Sequence, residues 1–289
     1  MSQAVSTRLK EFALYTATAP WKLYVKPFKV APRTYYVGNE WVGIYLIDSE
    51  AGLILIDTGV YENVYLTLEG IRSLGFDPKE LKHILLTHCH VDHSGGAKAL
   101  RELTGAKIWL SKIDADFRTT KANLEGIKSM DIKIEMPEFQ NHYYEVDELY
   151  NDNEPMVFGS VEITSKLSPG HTPGTTSFFI KSADESGKVI VAAIHGGVGP
   201  LTMTDKFLKT YDLPMDTRET FIHDCREMKK ITVDITLPSH PSHGKLFECI
   251  TADRMDYTVF IDRDSWGEFL DDRVKIVEEL DAKEKNGGA

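Results

Sequence analysis

Thr87-His88-Cys89-His90-Val91-Asp92-His93-Ser94-Gly95-Gly96 stands where a β-rich run, His83 to Thr87, gives way to a helical pattern from Gly96 to Leu103. Side chains alternate along extended backbone, so His88 and His90 project to one side, while Asp92 and His93 follow after the chain has turned. Three imidazoles and a carboxylate within six positions supply the nitrogen and oxygen donors that borderline cations such as zinc take readily. The helix N-terminus beyond Gly95 adds a positive partial charge that favours an anion nearby. An isolated histidine is ordinarily structural, but so many costly polar groups at one strand end call for a common partner.

Working outward, short β-rich runs alternate with helical patterns. Tyr35 to Ile47 and Gly52 to Ile56 read as adjacent strands split by Asp48-Ser49-Glu50. Val64, Leu68 and Ile71 recur at helical spacing until Gly75 and Pro78 stop them. Lys107 to Ser111 is a further strand, and the charged, weakly periodic stretch from Thr119 to Asn153 reads as a lid or long connection. Val161 to Leu167, Thr175 to Lys181, Lys188 to Ile194 and Ile231 to Leu237 are strands again. Asp216 and Glu219 form a capping-box signature ahead of a stripe of Phe221, Cys225 and Met228. A last helix, opened by Asp264 or Ser265, carries Trp266, Phe269, Leu270, Val274, Val277 and Leu280 on one face, and Lys283 to Ala289 read as frayed. The pattern predicts an α/β (α+β) protein with two sheets face to face and helices outside. It forms a single domain, 1–289, with pseudo-symmetric halves of about 20–155 and 156–289.

Composition removes other classes. Of 289 residues, 42% are hydrophobic and 10% aromatic, which excludes a disordered or low-complexity chain. The formal net charge of −11 repels phosphate backbones, so no nucleic acid is expected. Apolar runs such as Val189 to Ile194 fall far short of the roughly 20 residues a membrane span needs, so no membrane is expected either. The opening residues lack the pattern of a secretory signal, and Cys89, Cys225 and Cys249 are odd in number and far apart, as reduced thiols are; both features predict a cytoplasmic protein. No pattern speaks to oligomeric state.

His171, in Ser168-Pro169-Gly170-His171-Thr172-Pro173-Gly174-Thr175, and His240, in Leu237-Pro238-Ser239-His240-Pro241, are two more strand-end histidines. With them the chain resembles the metallo-β-lactamase superfamily from about Trp21 to Leu280, matching its His-x-His-x-Asp-His signature at His88, His90, Asp92 and His93. The resemblance implies an αββα four-layer sandwich with the site at one edge. It assigns His88, His90 and His171 to one zinc ion and Asp92, His93 and His240 to a second. Asp57, in Ile56-Asp57-Thr58-Gly59, is expected to support these ligands from behind. Pro27-Phe28-Lys29-Val30, Gly75-Phe76-Asp77-Pro78 and His240-Pro241 look like the β-lactamase subclass without a cysteine ligand. Cys89, between two ligands, is expected to turn into apolar packing.

Many hydrolases of this superfamily, lactonases and thioesterases included, place a metal-bridging aspartate where this chain reads Ile194-His195-Gly196-Gly197. His195 has three roles open to it: coordinating an ion, contacting a ligand from behind, or hydrogen-bonding a loop. The resemblance implies a zinc-dependent hydrolase whose metal-bound hydroxide attacks a carbonyl, with Asp92 orienting that group or taking its proton. The two ions leave the pocket electropositive, which favours a small-molecule substrate bearing a carboxylate, such as a β-lactam-like cyclic amide. The alternatives are a cytoplasmic lactonase, thioesterase or other small-ester hydrolase and, from another class, a non-catalytic metal-binding module. His243 is a candidate substrate contact or a solvated turn residue; Trp41 and Tyr45 either line the pocket mouth or pack in the core; Lys245 binds a substrate carboxylate or is solvated surface.

Overall fold

In the computed structural model of the protein, which describes residues 3–129 and 143–286, two sheets divide the strands in chain order. The first runs β1 (Phe28–Ala31), β2 (Thr34–Tyr36), β3 (Tyr45–Asp48), β4 (Leu53–Ile56), β5 (Leu81–Leu85), β6 (Lys107–Leu110) and β7 (Glu148–Leu149), neighbours in space in that same order. β1 to β4 form an antiparallel meander, and β4 to β7 are parallel. The second contains β8 (Pro155–Phe158), β9 (Val161–Leu167), β10 (Thr176–Ala183), β11 (Val189–Ile194) and β12 (Ile235–Thr236), antiparallel except for the β11–β12 pair. The helices are α1 (Gln3–Thr18), α2 (Val64–Ser73), α3 (Val91–Ser94), α4 (Ala97–Thr104), α5 (Lys112–Phe117), α6 (Lys121–Ser129), α7 (Asp205–Thr210), α8 (Thr217–Met228) and α9 (Ser265–Lys285).

Period-two alternation builds the layers. Along β4, Ile54 and Ile56 join the cluster between the sheets, where they meet Phe178, Ile180 and Ile194, while Leu53 and Leu55 join the outer cluster with Val64, Ile71 and Leu100 of the helices. A parallel strand covered on both faces needs such an unbroken apolar run. On the second sheet Phe179 and Ala193 face outward against Phe221, Met228, Trp266, Leu270 and Val277 of α8 and α9. The order helix, sheet, sheet, helix is the expected αββα sandwich. Emptying its centre by Phe178→Ala costs about 3–5 kcal/mol.

Several local expectations differ. The run Tyr35 to Ile47 is broken between β2 and β3, because the Asn39 side chain accepts the N–H groups of Trp41 and Val42 at 2.8 Å each and closes a turn. Gly38 fits there because an added Cβ would stand 2.3 Å from the Val42 carbonyl. Of Ile231 to Leu237 only β12 pairs with β11; just before it, the Asp234 side chain takes the Val191 N–H at 3.0 Å in place of a ladder bond. Asp216 precedes α8 but makes no side-chain cap. Of the stretch from Thr119 to Asn153, α6 and β7 are ordered elements, and 130–142 lie outside the described residues. Lys283 to Lys285 continue α9 rather than fray, and 287–289 lie outside the described residues. α1 has no counterpart in the sequence pattern; Phe12 packs with Trp41, Val42 and Val60, and Pro20 follows the helix end.

Direction of travel positions the site. β4 and β5 run parallel, β9 and β11 both run antiparallel to β10, and β12 follows β11. The carboxyl ends of these strands therefore gather at one rim of each sheet, and Asp57, His88, His171, His195 and His240 all follow one of them. Irregular backbone outside the carboxyl ends of strands is where α/β proteins place ligands.

Candidate metal centre

At that rim six side chains converge in two groups. His88, His90 and His171 offer nitrogens within 4.8 Å of one another, and their rings stand nearly perpendicular, with centroids 4.6–4.9 Å apart. His90 Nδ1 lies 2.9 Å from His171 Nε2. In the second group His93 Nε2 is 3.1 Å from His240 Nε2. Asp92 Oδ2 is 3.5 Å from His240 Nε2 and 3.7 Å from His93 Nε2. A tetrahedral zinc ion holding nitrogen and oxygen at about 2.0–2.1 Å separates its donors by about 3.3 Å, inside this spread. The groups abut, since the His88 and His93 ring centroids are 4.2 Å apart.

The far side of each ring decides which nitrogen is bare. His93 Nδ1 lies 2.7 Å from Asp57 Oδ2, His240 Nδ1 2.7 Å from the Trp41 carbonyl, and His171 Nδ1 2.9 Å from the Gly199 carbonyl. Each partner only accepts, so each Nδ1 carries the proton and each Nε2 presents a lone pair to its neighbours. The Thr87 hydroxyl donates to Asp57 at 2.8 Å and thereby accepts from His88 Nδ1 at 3.0 Å; His88 Nε2 is buried with no hydrogen-bond partner among the described residues. Lone pairs facing one another at 3.1 Å repel unless a cation stands between them. The donor set therefore fits a bound metal.

Charge agrees. Burial, helped by the His171 ring, holds the His90 imidazole down at about 3; burial with His93 holds His240 at about 4. His88 and His171 are lowered too, burial again leading. Burial works to raise Asp92, but the surrounding histidines, His93 foremost, bring it to about 2. His93 moves up, because the carboxylates of Asp92 and Asp57 outweigh its burial. Neutral imidazoles at His88, His90, His171 and His240 beside an ionised Asp92 are the protonation states a metal requires; His93 alone is drawn the other way by the two carboxylates against it.

Local backbone explains the reach of these groups. Asp57 has φ of 59°, a left-handed conformation uncommon outside glycine, asparagine and aspartate, right after β4. From there its carboxylate also takes the Thr87 N–H at 2.8 Å. Gly197 lies against the His171 ring so closely that an added Cβ would stand 2.7 Å from it. His195 is not part of the convergence: its Nε2 lies 3.8 Å from Cys225 Sγ, its ring packs on Phe221, and its Nδ1 weakly accepts the Gly197 N–H at 3.4 Å.

Cys89 turns away into apolar packing, as expected, with its thiol 3.5 Å from Asn123 Oδ1. His243 sits in the turn after His240, ring centroids 5.2 Å apart; the residue is half-buried and its Nδ1 is buried with no hydrogen-bond partner among the described residues. Trp41 and Tyr45 are core residues; Tyr45 donates its hydroxyl to the Pro238 carbonyl at 2.7 Å. Lys245 is exposed. Sequence reasoning missed Asp114 and the carbonyls of Trp41 and Gly199, because a backbone acceptor or a lone aspartate after a strand leaves no pattern.

A sequence model of the metallo-beta-lactamase superfamily matches residues 42–240, a span that contains all six converging side chains. The chain belongs to the metallo-β-lactamase superfamily. Its fold is similar to that of native FEZ-1 metallo-beta-lactamase from Legionella gormanii, with TM-score 0.75, 25% identity, and coverage of 91% of this chain and 98% of that one. The metallo-beta-lactamase GOB-18 from Elizabethkingia meningoseptica gives TM-score 0.75, 28% identity and coverage of 92% and 95%. Among curated relatives, the probable metallo-hydrolase YqgX of Bacillus subtilis is 24% identical over 227 residues, 74% of this chain and 90% of that protein. An N-acyl homoserine lactonase from a Bacillus species is 25% identical over 177 residues, 52% of this chain and 62% of the lactonase. This superfamily member is a metallo-hydrolase. Among its described residues no helix is long and apolar enough to cross a membrane.

Proposed function

We propose that the protein is a zinc-dependent hydrolase with a binuclear centre that opens a cyclic amide in a small, carboxylate-bearing substrate, in the manner of a β-lactamase. His88, His90 and His171 hold the first ion, and Asp92, His93 and His240 the second. One observation carries the choice of substrate: β11 ends in Ala192-Ala193-Ile194, followed by a buried His195 turned toward Cys225, so no carboxylate stands there to bridge two ions. When bound, the ions supply Lewis acidity toward a carbonyl oxygen and acidify water to a pKa of about 7.

The chain's own residues do the rest. Asp57, Trp41 and Gly199 hold three imidazoles with their Nε2 atoms inward. Asp92, ionised at neutral pH, orients the attacking water and accepts its proton at a carboxylate oxygen. A solvent-accessible rim built from both sheets admits the substrate, and no side-chain nucleophile is required. The same reading places the protein in the cytoplasm, supported by its three unpaired cysteines.

A second reading, hydrolysis of a lactone, thioester or other small ester, draws support from the similarity to the N-acyl homoserine lactonase. Elemental analysis with kcat/KM on a chromogenic β-lactam, a homoserine lactone and a glutathione thioester separates the two. The expected result is two zinc per chain and the highest kcat/KM on the β-lactam. A higher value on the lactone or thioester replaces the first reading with the second.

A further inference from the structure

Asp114, in the first turn of α5, is fully buried and touches none of the six converging side chains through its carboxylate. That carboxylate joins two loops that are far apart in sequence. Its Oδ2 accepts the Cys89 N–H at 2.9 Å and the Thr172 hydroxyl at 2.8 Å, and its Oδ1 accepts the Gly174 N–H at 2.7 Å. Cys89 lies between His88 and His90 on the rim of the first sheet; Thr172 directly follows His171 on the rim of the second.

The fit is close. A Cβ on Gly174 would stand 2.4 Å from the Asp114 nitrogen and 2.6 Å from Oδ1, and the Ser111 hydroxyl, which accepts the Asp114 N–H at 3.1 Å, donates to the Gly174 carbonyl at 2.7 Å. Hydrogen bonds to a buried carboxylate are roughly twice as strong as neutral ones, and a buried charge persists only when it is so satisfied.

The first triad is divided between the sheets, so the 2.9 Å approach of His90 to His171 depends on keeping the two loops in register. The second triad has its own tie, from His240 to the Trp41 carbonyl at 2.7 Å. We propose that Asp114 is a positioning residue for the first zinc ion, clamping the His88–His90 loop to the His171 turn, and that it leaves the second ion's site untouched. This rests on the reading that both triads hold zinc.

The test is zinc binding rather than turnover: competition against a chromophoric chelator, with zinc content by elemental analysis, on the native protein and on Asp114→Asn, Thr172→Val and Thr172→Ser. The amide introduced by Asp114→Asn keeps the shape of the carboxylate but has only one accepting oxygen. Thr172→Val removes the hydroxyl that donates to Asp114, and Thr172→Ser retains it. The expected result is that Asp114→Asn weakens one of two zinc equivalents about 10- to 100-fold and leaves the other within about twofold. Thr172→Val moves the same equivalent by less, and Thr172→Ser keeps native affinity. Equal weakening of both equivalents, or native affinity for both in folded Asp114→Asn, overturns the clamp while leaving the hydrolase reading intact. If Asp114→Asn does not fold, native binding by Thr172→Val overturns it. A native protein that binds fewer than two zinc ions overturns the two-zinc reading and the clamp with it.

Discussion

The group of His88, His90 and His171 is all imidazole, whereas that of Asp92, His93 and His240 contains a carboxylate and has a second one, Asp57, directly behind it. Neutral donors attract a cation through lone pairs alone, so the first group depends on geometry. Its rings are fixed by Thr87, the Gly199 carbonyl, the close approach of Gly197 and the clamp at Asp114. The second adds Coulombic attraction, which tolerates misplacement better, and it is also where a proton acceptor is available. The contrast teaches that one site can divide its character: one group is neutral and held by geometry, the other carries the negative charge.

Three substitutions would break or sharpen that contrast. The largest effect is expected from His90→Ala, which leaves the neutral triad two donors: kcat/KM falls about 1,000-fold or more, the several kcal/mol of barrier lowering that a metal supplies, and zinc content drops by one equivalent. Wild-type turnover in that variant contradicts the assignment. Asp57→Asn comes next. It frees His93 to change tautomer and is expected to weaken the charged triad about 10- to 100-fold in zinc affinity, and the neutral one by less, through the Thr87 hydroxyl that links Asp57 to His88; a chelator titration in which the neutral triad's equivalent weakens more than the charged one's contradicts this order. The smallest effect is expected from Cys89→Ala. The thiol faces Asn123 and the apolar cluster, so denaturant unfolding should lose roughly 1 kcal/mol with both zinc affinities unchanged.

The same two groups mark how far the sequence could be read. Four of the six converging residues fall between His88 and His93, and strand alternation already brings His88 and His90 to one side. His171 and His240 are single residues in Pro- and Gly-rich turns, and no local pattern distinguishes them from structural histidines; they become partners through the parallel course of β9, β11 and β12. The β-runs were legible from their β-branched residues, down to the limits of β9, and α9 from its apolar stripe. Where tertiary hydrogen bonds replace pairing, as at Asn39 and Asp234, strand propensity alone overextended the strands. The positioning groups were the least legible, since Asp114 gains its partners only when two distant loops meet.

Because the converging donors come from the rims of both sheets, a cation bound among them would act as a rivet across the sandwich and would link folding to the supply of that metal. Ligand held only by the native state adds about 2.7 kcal/mol of stability at a free concentration one hundred times its dissociation constant. A cell short of that metal would then hold this protein in a form that is not merely idle but easier to unfold and degrade, so that scarcity of the ion would clear the apoprotein along with the activity.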